Sequence, residues 1–483
     1  MDPSAAAQIA DEVMTESPEI STVPGVAYGV IRDGELVHVG GRGEASIDDG
    51  VPDADTVFRI ASMTKSFTAA AVLSLRDAGA LRLDDALVDH LPAARTAGVP
   101  VGPAITIRDL LTMAAGLATD DPWGDRQESL PLDEFDALVA SGLSFCRPSR
   151  TAFEYSNTGY ALLGRVIENV SGMRYRDFVI ERICAPLDMA SSVFDPRQVP
   201  ADRLAVGYRI AADGTRVPEP LVTPGAYSAM GGLLSTVTDL STWVLGFMSA
   251  WTDGMPVHPL DHWSLREAQE MARYASTEST TGPGAGVVVH GYGFGLMVEE
   301  HEVLGRVVSH SGGYPGFGSH MRWHPGSGWG VVALGNSTYA PMRTVAGTLL
   351  ARLIVESETA HGAKPAIPVS PWRQTLEAMD LAEELLRGNS TTVTDKLWSP
   401  NMDLDVPREE RLRGLADVRE AIGPFSRARE TIEFATPGRA TWTVEGDVGA
   451  AKLEVLMTPE RVPRLQKLTA TTVKDWRREG LAS

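Results

Sequence analysis

Lysine is nearly absent from this chain of 483 residues: six of its 43 basic residues are lysines, and Lys65 is the only one before Lys364. Arginine meets almost every other demand for positive charge. Cysteine is as scarce, with only Cys146 and Cys184. One possible pair in so long a chain excludes a disulfide framework and leaves two reduced, structural thiols as the expectation. No stretch approaches 18 uninterrupted apolar residues, which argues against a membrane-spanning helix. The first 20 residues have neither a basic leader nor an apolar core, so the expected location is the cytoplasm, with no membrane partner. Positive charge is outweighed as well. A net charge of -20 excludes nucleic acid as an expected partner, because binding phosphates needs a basic face. There is no G-x-S-x-G nucleophile elbow, and Gly282 to Gly286 lacks the Lys-Ser/Thr that would make it a phosphate cradle. No cofactor is expected.

The length exceeds what one hydrophobic core usually serves, so two domains are expected. Val26 to Ile31, the Asp33-Gly34 turn and Glu35 to Val39 read as a hairpin that begins an antiparallel sheet. Helices are expected from Ser62 to about Ala78, ended by Gly79, and over Ile107–Met113, Ala161–Val170 and Leu240–Phe247. Strand-like runs follow at Gly291–Leu296, Arg306–His310, Gly318–Trp323 and Trp329–Leu334. Strands at both ends with helices between them predict an α/β (α+β) fold, one antiparallel sheet flanked by helices. Residues 359–371, rich in proline and small side chains, read as a linker between a domain over 1–358 and a smaller one over 372–483. The smaller domain is expected to be α+β or β-barrel-like. It begins with an amphipathic helix over Trp372–Leu386 and ends in strands near 431–434, 440–444, 451–457 and 468–473.

The chemistry starts from the solitary lysine. Lys65 lies three residues after Ser62, and on a helix opened by Ser62 the two Cβ atoms stand about 5–6 Å apart. Arginine stays protonated, whereas a desolvated lysine can lose its proton and serve as a base to a serine nucleophile. Alone, S-x-x-K is a weak pattern. Two further signals join it: Tyr155-Ser156-Asn157, just ahead of a helix, and His310-Ser311-Gly312-Gly313, leaving a strand.

In order and spacing, Ser62-x-x-Lys65, Tyr155-x-Asn157 and His310-x-Gly312 resemble the three motifs of the serine penicillin-recognising superfamily. The resemblance is strongest to its class C β-lactamase-like branch, which holds D,D-peptidases, D-aminopeptidases, esterases and acyltransferases. It covers roughly residues 15 to 355 and takes in Ile107–Met113, Gly159–Gly164 and Gly231–Thr236. It implies a β-lactamase/transpeptidase-like fold. It also implies that Ser62 forms an acyl-enzyme, Lys65 accepts its proton and Tyr155 relays a proton to the leaving group. Asn157 would orient Lys65 and the substrate amide, and the N–H groups of Ser62 and Gly313 would form an oxyanion hole.

Many members place lysine first in the third motif, where this chain has His310. A neutral histidine weakens the fixed cation for a substrate carboxylate, which disfavours β-lactam hydrolysis and D,D-carboxypeptidase activity. The expected activity is therefore that of a serine hydrolase or acyltransferase on ester, thioester or peptide substrates. The alternative is a penicillin-binding-protein-type thioesterase that cyclises nonribosomal peptides from a carrier-protein-linked donor. Oligomeric state is left open. A catalytically silent relative would lack Ser62, Lys65 or Tyr155, and all three are present.

Other features carry competing readings. Thr119 to Arg126 reads either as a solvated acidic loop or as the rim of the site, with Trp123 covering the substrate. His258 and His262 have metal-ligand spacing, but Pro259 between them favours surface loop histidines. His320 and His324 lie on a strand, roughly 13 Å apart, and cannot share an ion. No metal site is expected.

Overall fold

The hairpin at the start is the edge of a larger sheet. The structure is a computed structural model that describes residues 1–46, 50–96, 104–251, 258–357, 369–389 and 397–473. The chain forms two compact units, Met1–Pro365 and Ala366–Ser483. Most of the expected linker lies outside the described residues.

In the first unit, β1 (Gly25–Arg32) and β2 (Glu35–Gly43) turn about Asp33 and Gly34, both at positive φ. Six later strands complete the sheet: β3 (Arg273–Ser279), β4 (Val287–Tyr292), β5 (Met297–His301), β6 (Gly305–Tyr314), β7 (Phe317–His324) and β8 (Trp329–Gly335). The order is β2-β1-β8-β7-β6-β5-β4-β3, antiparallel throughout, with Val30 opposite Val331. The run expected as one strand over Gly291–Leu296 is divided instead. Gly293 packs its Cα against the Ala268 carbonyl and Gly295 takes φ +70°, so these residues make the β4–β5 turn. Arg273–Ser279 escaped sequence reading because its mostly polar, exposed residues show no apolar alternation.

Side chains alternate across the sheet, and each face has its own core. Ala27, Ile31, Val332 and Leu334 join the core under α2 (Thr64–Asp77), α4 (Asn157–Ser171) and α5 (Val237–Ser249). Between α2 and α4 in sequence lies α3 (Ile107–Leu111), closed by a Thr106/Asp109 capping box. Val26, Val30, Val331 and Ala333 face the other way, against α1 (Pro3–Glu16) and α6 (Met342–Glu356). Strand β8 is buried along its whole length, as a strand covered on both faces must be. Within the first core, Trp243 of α5 stacks on Phe67 of α2 at 4.0 Å and donates to Ser66 Oγ at 2.9 Å, which holds α2 against the sheet.

The second unit contains α7 (Arg373–Leu386), α8 (Arg408–Ile422) and a four-stranded antiparallel meander of β9 (Phe425–Thr436), β10 (Arg439–Gly446), β11 (Ala450–Met457) and β12 (Leu465–Thr472). It is an α+β sheet domain, not a barrel. Its core gathers Met379, Leu386, Trp442, Leu453 and Leu465. Among the described residues no helix is long and apolar enough to cross a membrane, and Cys146 and Cys184 are free thiols.

Candidate active site

Ser62 stands in a 3-10 turn, Ala61–Met63, rather than in the helix it was expected to open. Ala61 takes φ +47°, a conformation that costs an alanine roughly 1–2 kcal/mol. The turn aims Ser62 back at the second residue of α2. Lys65 Nζ donates to Ser62 Oγ at 2.9 Å, to Asn157 Oδ1 at 2.7 Å and to the Met230 carbonyl at 2.8 Å. All three donors of a fully buried ammonium are thus used. Burial pulls Lys65 down to about 8, against the pull of Asp121, Asp125 and Asp120. Gly295 lets the β4–β5 turn pass close to the Lys65 carbonyl, and a Cβ there would stand 2.5 Å from that oxygen.

Tyr155 and Asn157 arrive together at the start of α4. Asp120 holds that start by accepting from the N–H groups of Asn157 and Thr158, both at 2.7 Å. The Tyr155 ring lies 5.0 Å from Lys65 Nζ. Burial raises the Tyr155 phenol well above its ordinary value, a hydrogen bond with Ser62 opposes this, and Asp121 and Asp125 add to it. Tyr155 is therefore a neutral phenol. Asn157 has both ends of its amide engaged, because its Nδ2 donates to Asp121.

His310 comes from β6. Its Nδ1 lies 2.7 Å from the Ser311 carbonyl, which can only accept, so Nδ1 carries the proton and Nε2 accepts from Tyr292 Oη at 3.0 Å. Burial and the Lys65 charge push His310 down to about 3, leaving a neutral imidazole.

These residues meet at a cleft of about 530 Å³ lined by Ser62, Asp121, Pro122, Asp125, Tyr155, His310 and Gly313, with Glu299, Tyr339 and Arg343 also on its wall. Two expected residues lie elsewhere. Gly312 faces away from the cleft, where a Cβ would stand 2.2 Å from the Ile60 carbonyl and from Ser319 Oγ; it lets β6 approach the Ser62 turn. Trp123 is 49% exposed, edge-on to Tyr227, and does not line the cleft. The short 3-10 helix Gly124–Arg126, closely packed on Asn157 at Gly124, turns Asp125 inward instead. The acidic loop thus reaches the site through its aspartates, not through its tryptophan.

Asp125 accepts from Tyr339 Oη at 2.8 Å. Burial lifts its carboxyl to about 6, with the Tyr339 hydrogen bond opposing and Asp121 reinforcing. Glu299 accepts from Arg322 at 2.9 Å and has Arg343 at 3.8 Å. Sequence reading missed Glu299, Tyr339 and Arg343, which stand in no local motif and reach the cleft only through the sheet and the start of α6. Among the described residues no cluster of His, Cys, Asp and Glu is arranged to hold a metal ion. Of the two histidines expected at the surface, His262 is exposed and His258 is only partly so: it packs beside Trp243, with ring centroids 5.9 Å apart, and its Nδ1 accepts from the Leu260 N–H.

The sequence profile described as Beta-lactamase matches residues 10–356. The chain is 26% identical to "Protein flp" of Staphylococcus aureus (strain MW2) over 342 residues, 68% of this chain and 64% of that relative's length, which is under two thirds. It is 30% identical to "Penicillin-binding protein 4" of Amycolatopsis lactamdurans over 323 residues, 66% of this chain and 82% of the relative. Two solved structures share the fold at low identity. The octameric penicillin-binding protein homologue from Pyrococcus abyssi superposes with a TM-score of 0.61 at 22% identity, covering 97% of this chain and 100% of that one. A penicillin binding protein from Bacillus halodurans gives 0.57 at 23% identity, covering 72% and 98%.

Proposed function

The chain belongs to the beta-lactamase family, and on that premise we propose that it is a serine hydrolase or acyltransferase working through an acyl-enzyme on Ser62. The observation that carries this reading is the 2.9 Å hydrogen bond between Ser62 Oγ and a buried Lys65 whose pKa is drawn down to about 8. Near neutral pH a useful fraction of Lys65 is an unprotonated amine. That amine takes the Ser62 proton as Oγ attacks the substrate carbonyl carbon, and the N–H groups of Ser62 and Gly313 face the developing oxyanion. The phenol of Tyr155 passes a proton to the leaving group. Deacylation by water completes hydrolysis, and attack by an amine completes transfer.

A neutral His310 offers no fixed cation to a substrate carboxylate, which favours ester, thioester or peptide substrates, including peptides that contain D-amino acids, over β-lactams. Transfer to an amine, as in a peptide-cyclising thioesterase fed by a carrier protein, would use the same acyl-enzyme. A cytoplasmic location is part of this reading, and cell fractionation tests it. The direct test is labelling with a fluorophosphonate followed by mass spectrometry of the adduct. Modification at Ser62, lost in Ser62→Ala, is expected. A protein that stays unmodified, or carries its adduct elsewhere, overturns the reading.

A further inference from the structure

An oxyanion hole made by the Ser62 and Gly313 N–H groups needs those donors held at a fixed separation, because a misplaced donor loses most of its hold on the developing charge. Phe58–Arg59, ahead of Ser62, pairs with Leu234–Ser235, whereas Gly313 in β6 pairs with Gly318 of β7. Among the described residues no shared ladder sets their spacing. One carboxylate reaches both segments. Glu128 Oε2 accepts from Arg59 Nη1 at 2.5 Å and from Tyr314 Oη at 2.7 Å. Arg59 stands three residues before Ser62, and Tyr314 directly follows Gly313. The Arg59 guanidinium also lies over the Tyr314 ring, 4.9 Å from its centroid, so the trio closes on itself. Arg59 and Glu128 are fully buried, and Tyr314 is nearly so. Burial and the Glu128 charge push the Tyr314 phenol up, against the pull of Arg59, so it remains a neutral donor.

Stability is a weak reason for this arrangement. Apolar side chains of similar volume often serve as well as a buried ion pair, and here Arg59 Nε and Nη2 and Glu128 Oε1 have no hydrogen-bond partner in the protein. What the trio supplies is direction, since its contacts fix three side chains that come from three separate segments. We propose that Glu128, together with Arg59 and Tyr314, is a positioning residue for the oxyanion hole. It sets the distance between the Ser62 and Gly313 N–H groups without lining the cleft itself. The proposal rests on the Ser62 acyl-enzyme reading and adds to it a part of the chain that no motif marks. Gly232 leaves room for the carboxylate, since a Cβ there would stand 2.9 Å from Glu128 Oε1.

The test uses the full-length protein and two acyl donors, p-nitrophenyl acetate and its thiono analogue, in which sulfur replaces the carbonyl oxygen. Sulfur is larger and a weaker acceptor, so a well-set oxyanion hole favours the oxygen ester. Tyr314→Phe keeps the ring and removes one hydrogen bond; Glu128→Gln keeps the shape and removes the charge. In each variant the acylation rate with the oxygen ester, and with it the oxygen-to-sulfur rate ratio, is expected to fall about tenfold, less than the roughly 10²–10³-fold that loss of a whole donor costs. KM should change little. A merely structural loss would lower both esters alike and leave the ratio where it was. Val30→Ala, in the core on the far face of the sheet, is the stability control and should keep the wild-type ratio. An unchanged ratio in both variants, or a ratio lowered as far by Val30→Ala, overturns the proposal. Glu128→Gln leaves Arg59 buried without its counter-charge, and if that variant fails to fold, Tyr314→Phe decides alone. A wild-type Ser62 that is labelled by fluorophosphonate but shows no preference for the oxygen ester removes this inference alone, whereas an unlabelled wild-type Ser62 removes the acyl-enzyme reading with it.

Discussion

In the proposed mechanism Lys65 acts through its proton, and its surroundings set when that proton leaves. Burial without a direct carboxylate contact brings it to about 8, so the neutral fraction grows as pH rises through that value. The acylation rate is expected to climb with pH and level off above about 8, as read by stopped-flow labelling. Lys65→Arg keeps the charge but stays protonated, and it should lower acylation roughly 10²–10⁴-fold and abolish the rise. A second residue-scale prediction concerns Glu299. Burial pushes its carboxyl up, but Arg322, His301 and Arg343 outweigh burial and hold it below the ordinary carboxylate range. Its folded pKa is thus lower than its unfolded one. The resulting stability is complete above about pH 5 and is lost as pH falls below the usual range near 4.3. Glu299→Gln leaves Arg322 buried without its counter-charge and should cost about 3–5 kcal/mol in urea denaturation at pH 7.

At the scale of elements, the cleft depends on how closely β6 approaches the Ser62 turn. Ser319 Oγ donates to the Ile60 carbonyl at 2.7 Å, tying β7 to the residue two before Ser62. Gly312 leaves room for that bond. Gly312→Ala should push β6 away from the turn, costing about 1–3 kcal/mol by overpacking and slowing Ser62 labelling, since Gly313 moves with the strand. Thermal denaturation and labelling rates would show both effects; an unchanged labelling rate would mean that the strand's approach does not set the site. Helices α2 to α5 were legible from their apolar spacing, with α4 and α5 longer than expected, whereas α1, α6 and α8 were not among the expected helices. The 3-10 turn at Ser62 was not legible, because nothing in Ile60-Ala61-Ser62-Met63 demands Ala61 at positive φ; the packed neighbours impose it.

In the whole molecule, the unit over Met1–Pro365 contains every residue of the cleft and two cores of its own. A chain ending at Pro365 is expected to fold and keep Ser62 labelling within a fewfold of the full protein. Circular dichroism and labelling would check it, and a folded but unlabelled truncation would assign the second unit a part in the site.

The sequence by itself determined the antiparallel sheet with its flanking helices, the pairing of Ser62 with Lys65, and the motifs of Tyr155, Asn157 and His310. Those features are local: a helical spacing, a turn dipeptide, residues that adjoin a helix start or a strand end. Only the tertiary structure decided that Gly312 makes room for a strand, that Trp123 stands outside the cleft, and that Asp121, Asp125, Tyr339, Glu299 and Arg343 share its walls. Tyr339 donates to a carboxylate 214 residues earlier in the chain. No periodicity or spacing encodes such a meeting, because it arises where a loop, a strand and a helix start are packed around one cleft by the sheet beneath them.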